Sequence, residues 1–179
     1  MKIFIAGARA ITQFDGQIES KLFSIYEKGY DVLVGDAAGA DCSVQKYYAE
    51  KKYSKVTVFA CNGKARNNIG NWNIENVKTD GNLQGFEYYK QKDFVMAHAA
   101  DYGFMIWNGE SKGTLNNIIN LLAQEKTCCV YLESKKRFFT VDSEDKILKL
   151  LSLCPKSTGS VYHKLTKTKA NHFTQIALF

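Results

Sequence analysis

A chain of 179 residues, 45% hydrophobic and 23% charged, has the composition of one ordinary globular domain able to bury a core, which excludes a disordered or fibrous protein. No apolar run is long enough to span a bilayer, and the opening "MKIFIAGARA" is too short for a secretion signal, so a cytoplasmic protein without a membrane partner is expected. After Pro155 there are four lysines and no acid, so of the net charge of +6 only +2 belongs to the body. Such a tail makes nucleic acid a secondary expectation, behind a solvated face or a subunit contact.

In chain order, "KIFIA" (2–6) reads as a buried strand ending at Gly7, and Gln17 to Lys28 as an amphipathic helix stopped by Gly29. "DVLVGD" (31–36) is the second strand, Asp41 to Tyr53 the second helix, and "KVTVFA" (55–60) the third strand. A polar loop then runs from Asn62 to about Leu83, followed by a helix from about Gly85 to Ala100. "YGFMIW" (102–107) is the fourth strand, Thr114 to Gln124 a helix, "CCVYL" (128–132) the fifth strand, and Ser143 to Leu153 a helix. Residues 1–134 form the expected domain. Residues 135–179 form an extension holding a strand "RFFTV", a helix and a tail, packed on the domain or on a partner subunit.

This alternation predicts an α/β fold, a Rossmann-like, doubly wound and mostly parallel sheet of about five strands with helices on both faces. Right-handed crossovers place every strand's C-terminal end on one rim, where open sheets bind ligands. Candidate residues therefore lie where strands stop. The five cysteines (Cys42, Cys61, Cys128, Cys129 and Cys154) lack CxxC spacing and are expected to be free thiols. The three histidines are scattered, and neither a metal site nor a cofactor is expected.

The turn "GDAAGAD" places Gly35, Asp36, Gly39, Ala40 and Asp41 before the second helix. A helix start offers unpaired N–H groups suited to phosphate, and small residues let a ligand approach. Asp41 is expected as the N-cap, and Asp36 as a partner for ribose hydroxyls or a base amine. A capped tight turn is the plainer alternative. A second such turn, "NGESKGTLNNI" (108–118), supplies Asn108, Gly109, Ser111, Gly113 and Thr114, with Lys112 adding charge, and it lacks the GxxxxGK[ST] spacing of a Walker loop. The first loop adds Gly7, Ala8 and Arg9, and the long loop adds Arg66, arginine being suited to bidentate phosphate binding. Trp72, in the same long loop, either stacks on a base or packs beneath the loop. Helical spacing puts Tyr89, Asp93 and Met96 on about one face, so that Asp93 points toward the rim.

Taken in order, "KIFIAGAR", "VGDAAGAD" and "KDFVMAHAADYGFMIWNGESKGTLNNI", followed by a final apolar strand, resemble the SLOG superfamily over about residues 1 to 134. That Rossmann-like superfamily includes lonely-guy phosphoribohydrolases, the DNA-processing protein A family and YspA-type proteins, and "GDAAGAD" looks closest to the YspA-type branch. The resemblance implies a nucleotide or nucleotide-derived ligand on the rim, at Gly35, Gly39, Ala40 and Asp41 and at Gly113 and Thr114. It also implies a sensor or sequestering role, known for related domains and sometimes used in defence against phage, and a homo-oligomer. The phosphoribohydrolase signature places a glutamate three residues after the threonine of its "GT", where this chain has Asn117. An amide is no acid or base, so a glycosidic hydrolase would have to use Asp36 or Asp93 as its catalyst. Glu110 is a further acid in reach of that turn. Whether the protein is an enzyme stays open at this point, with nucleic-acid binding a third function.

Overall fold

The computed structural model describes the backbone of residues 1–176 and side chains up to residue 167. Seven strands form one sheet: β1 (Lys2–Gly7), β2 (Asp31–Gly35), β3 (Val56–Cys61), β4 (Asn73–Val77), β5 (Tyr102–Trp107), β6 (Cys128–Leu132) and β7 (Arg137–Val141). Among the described residues six α-helices accompany them: α1 (Gly16–Glu27), α2 (Ala40–Glu50), α3 (Gly85–Ala99), α4 (Lys112–Leu122), α5 (Glu144–Leu151) and α6 (Lys156–Ile176). The strand order is β4-β3-β2-β1-β5-β6-β7, parallel except for β7, which runs antiparallel to β6. The expected α/β class with a mostly parallel sheet is thus present, with seven strands rather than about five.

The difference lies at the two edges. β4 falls inside the stretch read as loop because "NIENV" is polar and exposed except at Val77. An edge strand with one face in solvent needs no apolar run, and β4 is fixed by its register on β3, with Ile74 opposite Val58. At the other edge "RFFTV" closes the sheet beside β6.

Period two divides the central strands between two cores. Phe4, Met105 and Trp107 face α3, α4, α5 and α6, whereas Ile3, Ile5, Phe104 and Ile106 face α1 and α2. The basic tail is not simply a solvated run. Thr158, Tyr162 and Leu165, spaced four and three apart, are buried where α6 packs beside α4. The apolar end 172–179, which by sequence could pack across a subunit, extend a sheet edge or equally cover its own core, lies outside the residues whose side chains are described. No helix among the described residues is long and apolar enough to cross a membrane, and all five cysteines are free.

The chain winds outward from β1 to β4 and then returns to lay β5 against the other side of β1. The strand order therefore reverses between β1 and β5. At such a switch point the flanking loops diverge and leave a crevice at the strands' C-terminal ends.

Candidate functional site

A cavity of about 450 Å³ opens at that crevice. Its floor and walls come from the loop after β1 (Gly7, Ala8, Arg9), from Ala37, Asp41 and Arg66, from α3 (Phe86, Tyr89, Lys92, Asp93, Met96) and from the start of α4 (Asn108, Ser111, Gly113, Thr114, Asn117). The volume is in the range of small-molecule sites. The stripe Tyr89, Asp93 and Met96 does form one wall, as helical spacing required.

The α4 end is built to be positive. Asn108 Oδ1 accepts from the backbone N–H groups of Glu110 and Ser111 at 3.1 and 2.9 Å, which folds the loop under the helix start. Trp107 Nε1 donates to the Ser111 carbonyl at 3.1 Å, and Thr158 Oγ1 of α6 donates to the Gly109 carbonyl at 2.7 Å. The Ser111 hydroxyl caps the helix by accepting from the Thr114 N–H. The first turn of α4 contains no acid and carries Lys112 instead. A cation at a helix N-terminus is unfavourable by itself, by about 0.3–1 kcal/mol, and an anion placed there removes the conflict. Gly113 has nothing within 4 Å of where a Cβ would stand, so open space lies directly over this turn.

The other glycine turn works differently. Gly39 has φ +78°, and a Cβ there would stand 2.2 Å from the Arg9 carbonyl oxygen, so the residue lets two backbones touch. A Cβ on Gly35 would stand 2.4 Å from Asp41 Oδ2 and 3.0 Å from Lys92 Nζ. The glycines of "GDAAGAD" thus make room for protein. Gly35, Asp36, Gly39 and Ala40 lie behind the cavity wall, and Ala37 and Asp41 reach it. Asp41 is not the N-cap either. Gly39 holds that position without a side-chain bond, and the Asp41 carboxylate turns back to accept from the Ala37 N–H at 3.3 Å.

Behind the wall sits a buried charge cluster. Asp36 is only 2% exposed and takes both Nε and Nη2 of Arg66, at 3.0 and 2.6 Å, together with the Arg66 backbone N–H at 3.1 Å. Burial alone would raise the pKa of the Asp36 carboxyl, but these bonds outweigh it and hold the group below its ordinary value. Lys92 is equally buried, bonded to Asp93 at 2.7 Å and 4.0 Å from Asp36. Burial would lower its pKa, and the surrounding carboxylates, Asp93 foremost, raise it instead, so the ammonium stays charged. For Asp41 burial outweighs what the nearby Lys92 and the Ala37 N–H offset, and pushes its carboxyl up to about 6.

Several expected site residues are therefore already engaged. Asp36 and Arg66 are clamped to one another, although Arg66 still borders the cavity with its guanidinium 4.1 Å from the Tyr89 ring centre. Trp72 lies away from the cavity and donates its indole N–H to the Tyr53 carbonyl at 2.7 Å. The loop around it is pinned rather than free, since Gln45 bonds the Asn67 carbonyl and the Ile69 N–H. Gly109 is buried behind Asn108. Sequence reasoning missed Phe86 and Lys92. Both fall on the stripe that gave Tyr89, Asp93 and Met96, and lysine on that stripe reads as solvated until its three acids are seen around it.

Neither a family model nor a curated protein matches the chain. Among solved structures, DNA processing protein A from Helicobacter pylori, described for its single-stranded DNA binding mode, aligns with a TM-score of 0.58 at 12% identity. The match covers 94% of this chain and 81% of that one. At this identity the likeness establishes a shared Rossmann-like fold.

Proposed function

We propose that the cavity binds a nucleotide or nucleotide-derived ligand, with its phosphate at residues 109–114, and that the protein acts as a sensor or sequestering protein. One observation carries this reading: an acid-free helix start bearing Lys112, with unfilled space over Gly113, opens into a cavity of about 450 Å³. Phosphate is the ligand group that such a start favours. The rings of Phe86 and Tyr89 line the same walls, and although each carries a cation on one face, Lys112 at 3.9 Å and Arg66 at 4.1 Å from the ring centres, the other face is left for a base. Asn117, buried with its Oδ1 unpartnered, lines the cavity one turn beyond the anion position, where an amide binds without supplying an acid. Glycosidic hydrolysis would rest on Asp93, because both oxygens of Asp36 are held by Arg66.

The first experiment compares nucleoside monophosphates with the matching nucleosides by calorimetry, with chromatography of the recovered ligand. Phosphate-dependent binding with the ligand recovered intact is expected. Equal affinity for nucleoside and nucleotide would overturn the phosphate assignment, and released base would make the protein a hydrolase. Single-stranded DNA is the second reading, favoured by the structural likeness to DNA processing protein A. It requires oligonucleotide affinity that falls steeply with salt. A homo-oligomer remains part of the proposal, to be read from the mass in solution.

A further inference from the structure

The cluster behind the cavity is unbalanced. Asp36 is matched by Arg66 through paired bonds, and Asp93 is matched by Lys92 at 2.7 Å. Asp41 is the third carboxylate of a group with two cations. Its hydrogen bond is the 3.3 Å contact from the Ala37 N–H, and its side chain reaches the cavity wall. Gly35 keeps this carboxylate in place, since any side chain there would collide with it. A surplus carboxylate on the wall of a site that elsewhere attracts anions repels phosphate and attracts a hydrogen-bond donor.

We infer that Asp41 is a specificity-determining residue of the cavity: it receives an amino group of the ligand, so the site takes a nucleotide whose base carries one. This rests on the nucleotide reading above. The base is the part that reaches Asp41 because Tyr89 lies on that side, whereas Phe86 lies by Lys112 at the phosphate end: Arg66, stacked against Tyr89, also interacts electrostatically with Asp41. The groups that face Asp41 are Lys92 and Asp93 from α3, Asp36 from the end of β2, and Arg66 from the loop. Lys92 and Arg66 favour its charged form, and the two acids oppose it. Burial leaves it titrating at about 6, so the preference for an amino group is full at pH 8 and fades at pH 5, where the neutral carboxyl can itself donate.

The test uses two pairs of probes that each differ by one amino group: AMP against purine riboside 5′-monophosphate, and GMP against inosine 5′-monophosphate. Calorimetry on the full chain at pH 8 is expected to give, for at least one pair, an amino-bearing member that binds about tenfold tighter or more. The preference should shrink toward parity in Asp41→Asn and, in the unaltered protein, at pH 5. Equal affinities within both pairs at pH 8 overturn the assignment, as does a preference that survives at pH 5. The pH comparison needs no variant, so it stands if Asp41→Asn fails to fold. If none of the four probes binds, the nucleotide reading itself fails.

Discussion

Replacing Asp41 with asparagine keeps the side chain's shape and removes its charge, and the structure fixes the sign of the effect on stability. The carboxyl titrates at about 6 in the folded protein against 3.8 for the ordinary group. Between those values the folded state holds a proton that the unfolded chain has released, so stability falls as pH rises from about 4 to about 6. At 1.36 kcal/mol per pH unit, the cost is about 3 kcal/mol, fully present at neutral pH. Asp36 and Asp15 run the other way: their folded pKa values are depressed, so their contribution is lost only as pH falls below about 4. Asp41 thus governs the window above them. Asparagine lacks the favourable charge in the first turn of α2, which returns about 0.3–1 kcal/mol. Asp41→Asn is therefore expected to be about 2 kcal/mol more stable than the unaltered protein at pH 7.5 and no more stable at pH 4. Urea unfolding followed by circular dichroism at four pH values between 4 and 8 measures both curves. Parallel curves would refute the assignment of an uncompensated buried charge to Asp41.

Three further changes separate the roles of the site's parts. Gly35→Ala forces a methyl group against the Asp41 carboxylate and the Lys92 ammonium, which must shift toward the cavity and loosen the charge cluster, and should cost about 1–3 kcal/mol in urea unfolding. Gly113→Ala meets nothing in the protein, and in a helix alanine is better than glycine by about 0.5–1 kcal/mol. That variant should melt higher yet bind nucleoside monophosphates more weakly, and unchanged affinity would place the phosphate elsewhere. Thr158→Val deletes the bond from α6 to the Gly109 carbonyl, at a cost of about 1 kcal/mol or somewhat more, and should weaken nucleotide binding by loosening the loop under α4.

The parallel core was legible in the sequence because strands buried on both faces must be apolar throughout. "YGFMIW" and "CCVYL" mark β5 and β6 from end to end. β4 was illegible for the converse reason: an exposed edge is specified by its neighbour's backbone, and "NIENV" carries no period. α6 was hidden by its charge, since the anchors Thr158, Tyr162 and Leu165 are outnumbered by lysines and small polar residues. At the site, the stripe on α3 comes from helical geometry alone. The pairing of Asp36 with Arg66, 30 residues apart, does not, because it depends on how the long loop folds back over β2.

The two glycine turns look alike as sequence and do opposite things. Around 35–41 every missing side chain is replaced by protein: the Arg9 backbone fills the space beside Gly39, and the Asp41 carboxylate fills the space beside Gly35. Around 109–114 the space over Gly113 stays open. Two acids on the first turn repel phosphate, whereas on the second Lys112 stands in a helix turn free of acids, the one acid nearby, Glu110, lying before the cap. If both held phosphate, Gly39→Ala and Gly113→Ala would each weaken binding without affecting the fold. With the division seen in this molecule, Gly39→Ala must disturb the fold first, because its methyl group cannot coexist with the Arg9 backbone at φ +78°. A Gly39→Ala protein that melts normally but has lost nucleotide affinity would return the phosphate to the first turn.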